Sequence, residues 1–175
     1  DGVHESYRQF ACLYRTNAQS RTLEERFLFL NIPYKIVGGI NFYQRKEIKD
    51  VLAYMKTIDN GSDDLAVKRI INVPKRGIGA ATINKIQDYA YTHNISFYEA
   101  MTRVRDIGVG KAADKIEHFT DMMGVLRAKS EYGSLKDWMD ELLDTTGYLA
   151  DLEAEDTEES RGRIENINEL ISKAV

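Results

Sequence analysis

The apolar positions follow two regimes along the chain. Up to about residue 43 they come in short runs. Phe10-Ala11-Cys12-Leu13-Tyr14 is an apolar stretch with strand propensity, and Tyr34-Lys35-Ile36-Val37 alternates before a Gly38-Gly39 break. Between them, Leu23, Phe27 and Leu30 recur at helical spacing over Ser20 to Leu30. Glu24 and Glu25 fall early in that helix, where carboxylates complement the dipole, and Asn31-Ile32-Pro33 ends it. Strand, helix and strand in this order predict a small βαβ-like unit, which ordinarily belongs to a larger parallel sheet covered on both faces. No further strand pattern follows.

From residue 44 the period is helical throughout. Ile48, Val51, Leu52, Met55 and Ile58 share one face, and Asp59-Asn60-Gly61-Ser62 closes the segment. Later stripes are Ile83 and Ile86, then Ile116, Phe119, Met123 and Leu126, then Leu135, Trp138, Met139 and Leu142, and last Ile164, Ile167 and Ile171. Each is read as core. Ser96-x-x-Glu99 is a capping box opening another helix, and Ser134-x-x-Asp137 is a weaker N-cap signal. The expected fold class is mainly α, with an α/β piece at its start.

Composition narrows the function. With 175 residues, 43% hydrophobic and only two prolines, the chain is an ordinary globular one, long enough to bury about 70% of its unfolded surface without staples. No apolar run approaches the roughly 20 residues that cross a bilayer, and Asp1-Gly2-Val3-His4-Glu5 has no signal-peptide core, so a cytoplasmic setting is expected. Cys12 stands alone and His4, His93 and His118 are scattered, which offers neither a disulfide framework nor zinc-ligand spacing; no metal is expected. Adjacent carboxylates such as Glu158 and Glu159 do not face each other on a helix, and no catalytic residue is assigned.

The net charge of −4 hides a gradient: +4 over residues 1–94 and −8 over 95–175. Leu65 to Gln87 contains Lys68, Arg69, Lys75, Arg76 and Lys85 with no carboxylate before Asp88. Within it, Val73-Pro74-Lys75-Arg76-Gly77-Ile78-Gly79 lies between a short helix, Leu65 to Asn72, and a longer one beginning near Ala80, a helix-hairpin-helix signature. The glycines allow a tight turn and close approach of another chain, Ile78 can anchor the hairpin, and the next helix aims its first amides outward, where they can grip a phosphate. Lys75, Arg76 and Lys85 then suit a nucleic-acid backbone read without base specificity. The same pattern also serves a plain helix–helix turn with glycine C-caps, and the charge run a solvated face. A second Gly-h-Gly, Gly108-Val109-Gly110, follows 31 residues later with Lys111 and Lys115, but without a preceding basic pair and with Asp106 and Asp114 close by; a purely structural turn fits it. At the front, Arg15 could hold a phosphate, and Asn17 could contact a base or cap a helix.

Longer strings carry a resemblance. Leu13-Tyr14-Arg15-Thr16-Asn17-Ala18-Gln19-Ser20-Arg21, Ile32-Pro33-Tyr34-Lys35-Ile36-Val37-Gly38-Gly39, Phe42 to Tyr54, Ile70 to Gly79, and Ser160-Arg161-Gly162-Arg163-Ile164-Glu165-Asn166-Ile167 resemble, in this order, the UvrD/PcrA/Rep DNA helicases. The sequence departs from them at Asn41, where members often carry a basic residue after the Gly-Gly-hydrophobic turn. The resemblance implies that residues 1–44 are the opening of a RecA-like domain, 2A, and 45–175 most of its helical 2B insertion. It further implies that Arg15 and Asn17 touch single-stranded DNA, and that Gly77, Ile78 and Gly79, with Lys75 and Arg76, contact duplex. The parent helicase would move 3′ to 5′ using ATP and Mg²⁺. This chain has no Gly-x-x-x-x-Gly-Lys-Ser/Thr loop, so no cofactor is expected in it. The implied partners are DNA, the remaining helicase domains, and a regulatory protein drawn to the acidic C-terminal part.

Overall fold

A computed structural model describes residues 6–14, 17–37 and 41–173, and for Asn17 and Ala18 the backbone only. The described residues form α1 (Asn17–Phe29), α2 (Lys46–Asp59), α3 (Asp64–Ile70), α4 (Ala80–His93), α5 (Phe97–Thr102), α6 (Ala112–Lys129), α7 (Leu135–Thr146), α8 (Tyr148–Glu155) and α9 (Glu158–Lys173), with short 3₁₀ turns at Tyr7–Gln9, Phe42–Gln44 and Val104–Asp106. The fold is mainly α, as the periodicity predicts.

Helix α2 is the hub, packing on α3, α6 and α9. Its predicted stripe supplies Ile48, Val51 and Ile58 to the core, joined there by Tyr54, while Leu52 and Met55 are half-buried. Ile116, Phe119, Met123 and Leu126 of α6 and Ile167 and Ile171 of α9 close the same core. The helix ends follow local chemistry. Ser96 Oγ accepts from Glu99 N (3.1 Å), Ser134 Oγ from Asp137 N (3.1 Å), and Asp63 Oδ1 from both Leu65 N and Ala66 N. At the other end of α2, Arg127 reaches across from α6 to donate to Ile58 O (2.6 Å) and Thr57 O (3.2 Å).

Three expectations are corrected. The predicted strands, Phe10–Tyr14 and Tyr34–Val37, pair with nothing among the described residues; Leu13 is 95% exposed and Val37 85%. A strand's hydrogen bonds are met by a neighbour, and none of the described residues supplies one to either segment. The Gly38-Gly39 break falls outside the described residues. Second, the face of α1 that is buried is the polar one: Ser20, Arg21 and Glu24 are inside, whereas Leu23 and Phe27 are half-buried and Leu28, Phe29 and Leu30 exposed. Third, Leu135 is 46% exposed at the start of α7, one turn ahead of Trp138, whose indole donates to Leu126 O (2.9 Å) and defines the buried side.

The polar face of α1 is buried because α9 and the turn before α2 supply matched groups. The Arg21 guanidinium lies 3.9 Å from the Phe42 ring centroid, donates to Glu25 (2.8 Å) and faces Glu169 at 3.6 Å. Lys173 at the end of α9 pairs with Glu25. Next to this contact, Arg45 donates to Asn166 Oδ1 (2.7 Å) and Asn166 donates to Glu47 (2.6 Å). Asn166 belongs to the Ser160–Ile167 string, which thus ties α9 to the start of α2 as well as to the core.

Candidate nucleic-acid interface

The segment between α3 and α4 is held by four groups. Asn72 donates to Ile78 O (2.6 Å) and accepts from Ile78 N (3.0 Å), so one amide side chain closes the loop as a strand neighbour would. Ile78 is 3% exposed and pins the loop to the core. Tyr54 donates its hydroxyl proton to Val73 O (2.5 Å). The fourth group is Arg76. Its guanidinium donates to Ile70 O (2.9 Å), to the Tyr54 hydroxyl (2.7 Å) and to Thr146 O (3.3 Å), and lies 5.1 Å from the Phe119 ring centroid. Burial pushes the Tyr54 hydroxyl up to about 12, opposed by the neighbouring Arg76 charge.

Lys75 and Arg76 are therefore not a pair of outward charges. Arg76 is a partly buried brace from the hairpin to α2, α6 and α7, because five donors in a planar fork can satisfy several carbonyls at once. Two further cations of the basic window are engaged: Arg69 donates to buried Asp50 (2.7 Å), which also accepts from the Tyr148 hydroxyl (2.9 Å), and Lys68 lies over the Phe97 ring. Burial, with the Asp50 charge, drives the Tyr148 hydroxyl strongly upward. Lys75 and Lys85 remain exposed.

The glycines differ in what they require. Gly77 has φ +68, a left-handed conformation that an L side chain resists. Gly79 has an ordinary φ of −73, and a Cβ built on it meets nothing within 4 Å. It is the N-cap of α4 and brings no side-chain cap, so the helix opens with free amides at an exposed site. The second glycine turn lies beside the first: Lys115 donates to Gly77 O (3.1 Å), and Lys85 donates to Gly108 O (3.2 Å). Lys75, Gly77, Ile78 and Gly79 are thus gathered on one loop, with Lys115 of α6 reaching it and Lys85 of α4 reaching the second turn.

Of the single-strand candidates, Arg15 lies outside the described residues, and Asn17 is the first residue of α1, its side chain likewise outside them. Among the described residues no group of three or more His, Cys, Asp or Glu is placed to hold a metal, and no helix is long and apolar enough to cross a membrane. Asn72, Tyr54, Phe119 and Thr146 escaped the sequence reading as supports of the hairpin; only Asn72, six residues from Ile78 and next to the turn, carried a local hint.

Comparison with known proteins identifies the family of the chain. Residues 2–175 match the family model described as UvrD-like helicase C-terminal domain. Similar proteins include "ATP-dependent DNA helicase PcrA" of Staphylococcus epidermidis, 47% identical over 169 residues, and its counterpart of the same name in Staphylococcus aureus, 46% identical over 169 residues. Each alignment covers 96% of this chain and 23% of the relative, so the chain spans about a quarter of the length of the proteins it matches. With a family match over nearly its whole length, the chain belongs to the UvrD-like helicase C-terminal domain family.

Proposed function

We propose that this chain is a non-catalytic DNA-binding region of a 3′ to 5′ ATP-dependent DNA helicase, and that the loop from Lys75 to Gly79 grips the duplex backbone. In this reading residues 45–175 are the helical 2B insertion with a helix-hairpin-helix motif, and 1–44 open the RecA-like domain 2A. The unpaired extended segments and the exposed Leu28, Phe29 and Leu30 support that division, since they suit a sheet completed by other parts of the parent protein. Arg15 and Asn17 would meet the single strand. ATP and Mg²⁺ would be held elsewhere in the parent, because the residues of this chain do not fit them: it has no phosphate-loop string and no cluster of ligating side chains among its described residues.

The observation that carries the duplex reading is Gly79. Neither its backbone angle nor its surroundings demand glycine, yet it heads an uncapped 14-residue helix beside exposed Lys75. Space kept clear at open amides is what a phosphate needs. Arg76 serves this surface by holding the loop. A test follows from the geometry: Gly79→Val should leave helicity nearly unchanged and cost no more than about 1 kcal/mol, the penalty of valine at an N-cap, while weakening binding to a fluorescein-labelled duplex, and Lys75→Ala should weaken it with a shallower salt dependence. Wild-type affinity belongs near the non-specific range of about 10⁻⁴ to 10⁻⁶ M. Duplex binding by Gly79→Val and Lys75→Ala equal to wild type in both affinity and salt slope would refute the assignment.

A second reading, a regulatory protein-interaction module of the same helicase, draws on charge. Residues 134–175 carry 12 carboxylates and 4 cations, a balance that repels DNA and favours a basic partner. Both roles can sit on one domain.

A further inference from the structure

The two glycine turns repeat a short pattern. Gly77-Ile78-Gly79 is followed on α4 by Lys85-Ile86, and Gly108-Val109-Gly110 is followed on α6 by Lys115-Ile116. Ile86 and Ile116 are both fully buried, which sets the lysine before each beside a core position early in its helix. The backbone repeats at the first glycine of each turn, Gly77 with φ +68 and Gly108 with φ +69, and departs at the second, where Gly79 has φ −73 and Gly110 φ +60. The contacts then cross. Lys115 Nζ donates to Gly77 O and Lys85 Nζ to Gly108 O, so the carbonyl of the first glycine in each turn is held by the helix that follows the other turn.

Neither contact is a generic property of nearby lysines. The side chains of Lys75 and Lys111, which flank the same turns, make no hydrogen bond or ion pair with the described residues. The carboxylates flanking Lys115 on its own helix, Asp114 and Glu117, are both engaged by Arg105, which leaves the Lys115 ammonium to Gly77 O. An ammonium on a carbonyl fixes the plane of that peptide and satisfies the oxygen that would otherwise repel a phosphate.

We propose that Lys85 and Lys115 are reciprocal positioning residues that lock the two glycine turns into one paired unit, so that the backbone grip of the Gly77 loop is set jointly by both turns. This rests on the duplex-binding reading of that loop. It gives the second turn a role beyond that of a plain structural corner: it leads into the helix that carries the residue orienting the first. The bond at Gly77 also explains the close approach there, where an added Cβ would meet Lys115 Nζ at 2.9 Å.

The test separates the brace from the DNA. In the 175-residue chain without DNA, amide exchange is compared for wild type, Lys85→Met, Lys115→Met, and the corresponding Lys→Arg variants, which keep a donor. Loss of a charge-assisted hydrogen bond corresponds to roughly tenfold faster exchange. That acceleration is expected in the opposite turn: around Gly77 to Ile83 for Lys115→Met, and around Gly108 to Ala113 for Lys85→Met, with arginine restoring protection. Binding of a fluorescein-labelled blunt duplex should then be weaker for Lys115→Met than for Lys111→Met, although each loses one charge. Acceleration confined to the substituted lysine's own helix, or none at all, would overturn the brace. Crossed acceleration with equal duplex affinity in Lys115→Met and Lys111→Met would overturn the positioning role. Failure of wild type to bind duplex at low salt would instead remove the reading beneath it, whatever the exchange data show.

Discussion

Arg76 offers the sharpest division between a structural cation and a phosphate contact. Arg76→Met keeps the apolar stem and removes the guanidinium. Ile70 O retains its bond from Val73 N (3.0 Å), and the Tyr54 hydroxyl retains Val73 O, so neither becomes an orphan. What disappears are two short charge-assisted bonds, to Ile70 O and the Tyr54 hydroxyl, and three longer ones, to Ile71 O, Pro74 O and Thr146 O. At about 1.5 kcal/mol for each short bond, the loss is about 3 kcal/mol. The contact with the Phe119 ring adds about 0.5 kcal/mol at a partly exposed site. For a chain of this length, each kcal/mol lowers Tm by about 2–4 °C, so a fall of roughly 10 °C is expected. Thermal unfolding followed by circular dichroism measures that fall and urea denaturation the free energy, with Lys75→Ala as the exposed control, expected within about 0.5 kcal/mol of wild type. An Arg76→Met variant with an unchanged urea midpoint and a lost duplex affinity would refute the brace and return Arg76 to the phosphate surface.

Other outcomes follow from the same contacts. Tyr54 holds its proton more tightly folded than unfolded, its value raised from 10.0 to about 12, so its contribution is intact below pH 10 and is lost as pH rises toward 12; urea midpoints across that window should fall, and fall less steeply in Tyr54→Phe. Arg21→Ala should speed amide exchange through α1 while α2 to α6 keep their protection, since Arg21 joins α1 to Phe42 and α9; equal protection of α1 in both proteins would sink this account of the contact. The pure chain should show no DNA-stimulated ATP hydrolysis, and turnover in a preparation free of other ATPases would contradict the proposal that the motor lies elsewhere.

Much of the helical part was legible residue by residue because its causes are short-range. A stripe such as Ile116, Phe119, Met123 and Leu126 needs only the helix period, and the caps at Ser96 and Ser134 need only a hydroxyl three residues before an amide. Ile78 as an anchor followed from an apolar residue between two glycines, and it is buried.

The misreadings share one physical origin: a charge or an edge is completed by groups distant in sequence. Arg76 looked like half of a basic pair because its partners Tyr54 and Thr146 lie 22 and 70 residues away, and nothing local announces that their oxygens converge on it. In α1 the helical spacing picks out Leu23, Phe27 and Leu30, yet Phe42 and Glu169 make the face of Arg21 the buried one. The short apolar runs before residue 38 have strand propensity, but a strand exists only when a neighbour takes its hydrogen bonds, and propensity cannot supply that neighbour. The sequence by itself determined the apolar stripes of α2, α6 and α9, the caps at Ser96 and Ser134 and the anchor of the hairpin, all fixed by interactions within a few residues, while α8 went unread. Tertiary structure alone decided which cations turn inward, which face of α1 is covered, and that Lys85 and Lys115 cross between the two turns, because each depends on contacts that only the packed chain brings together.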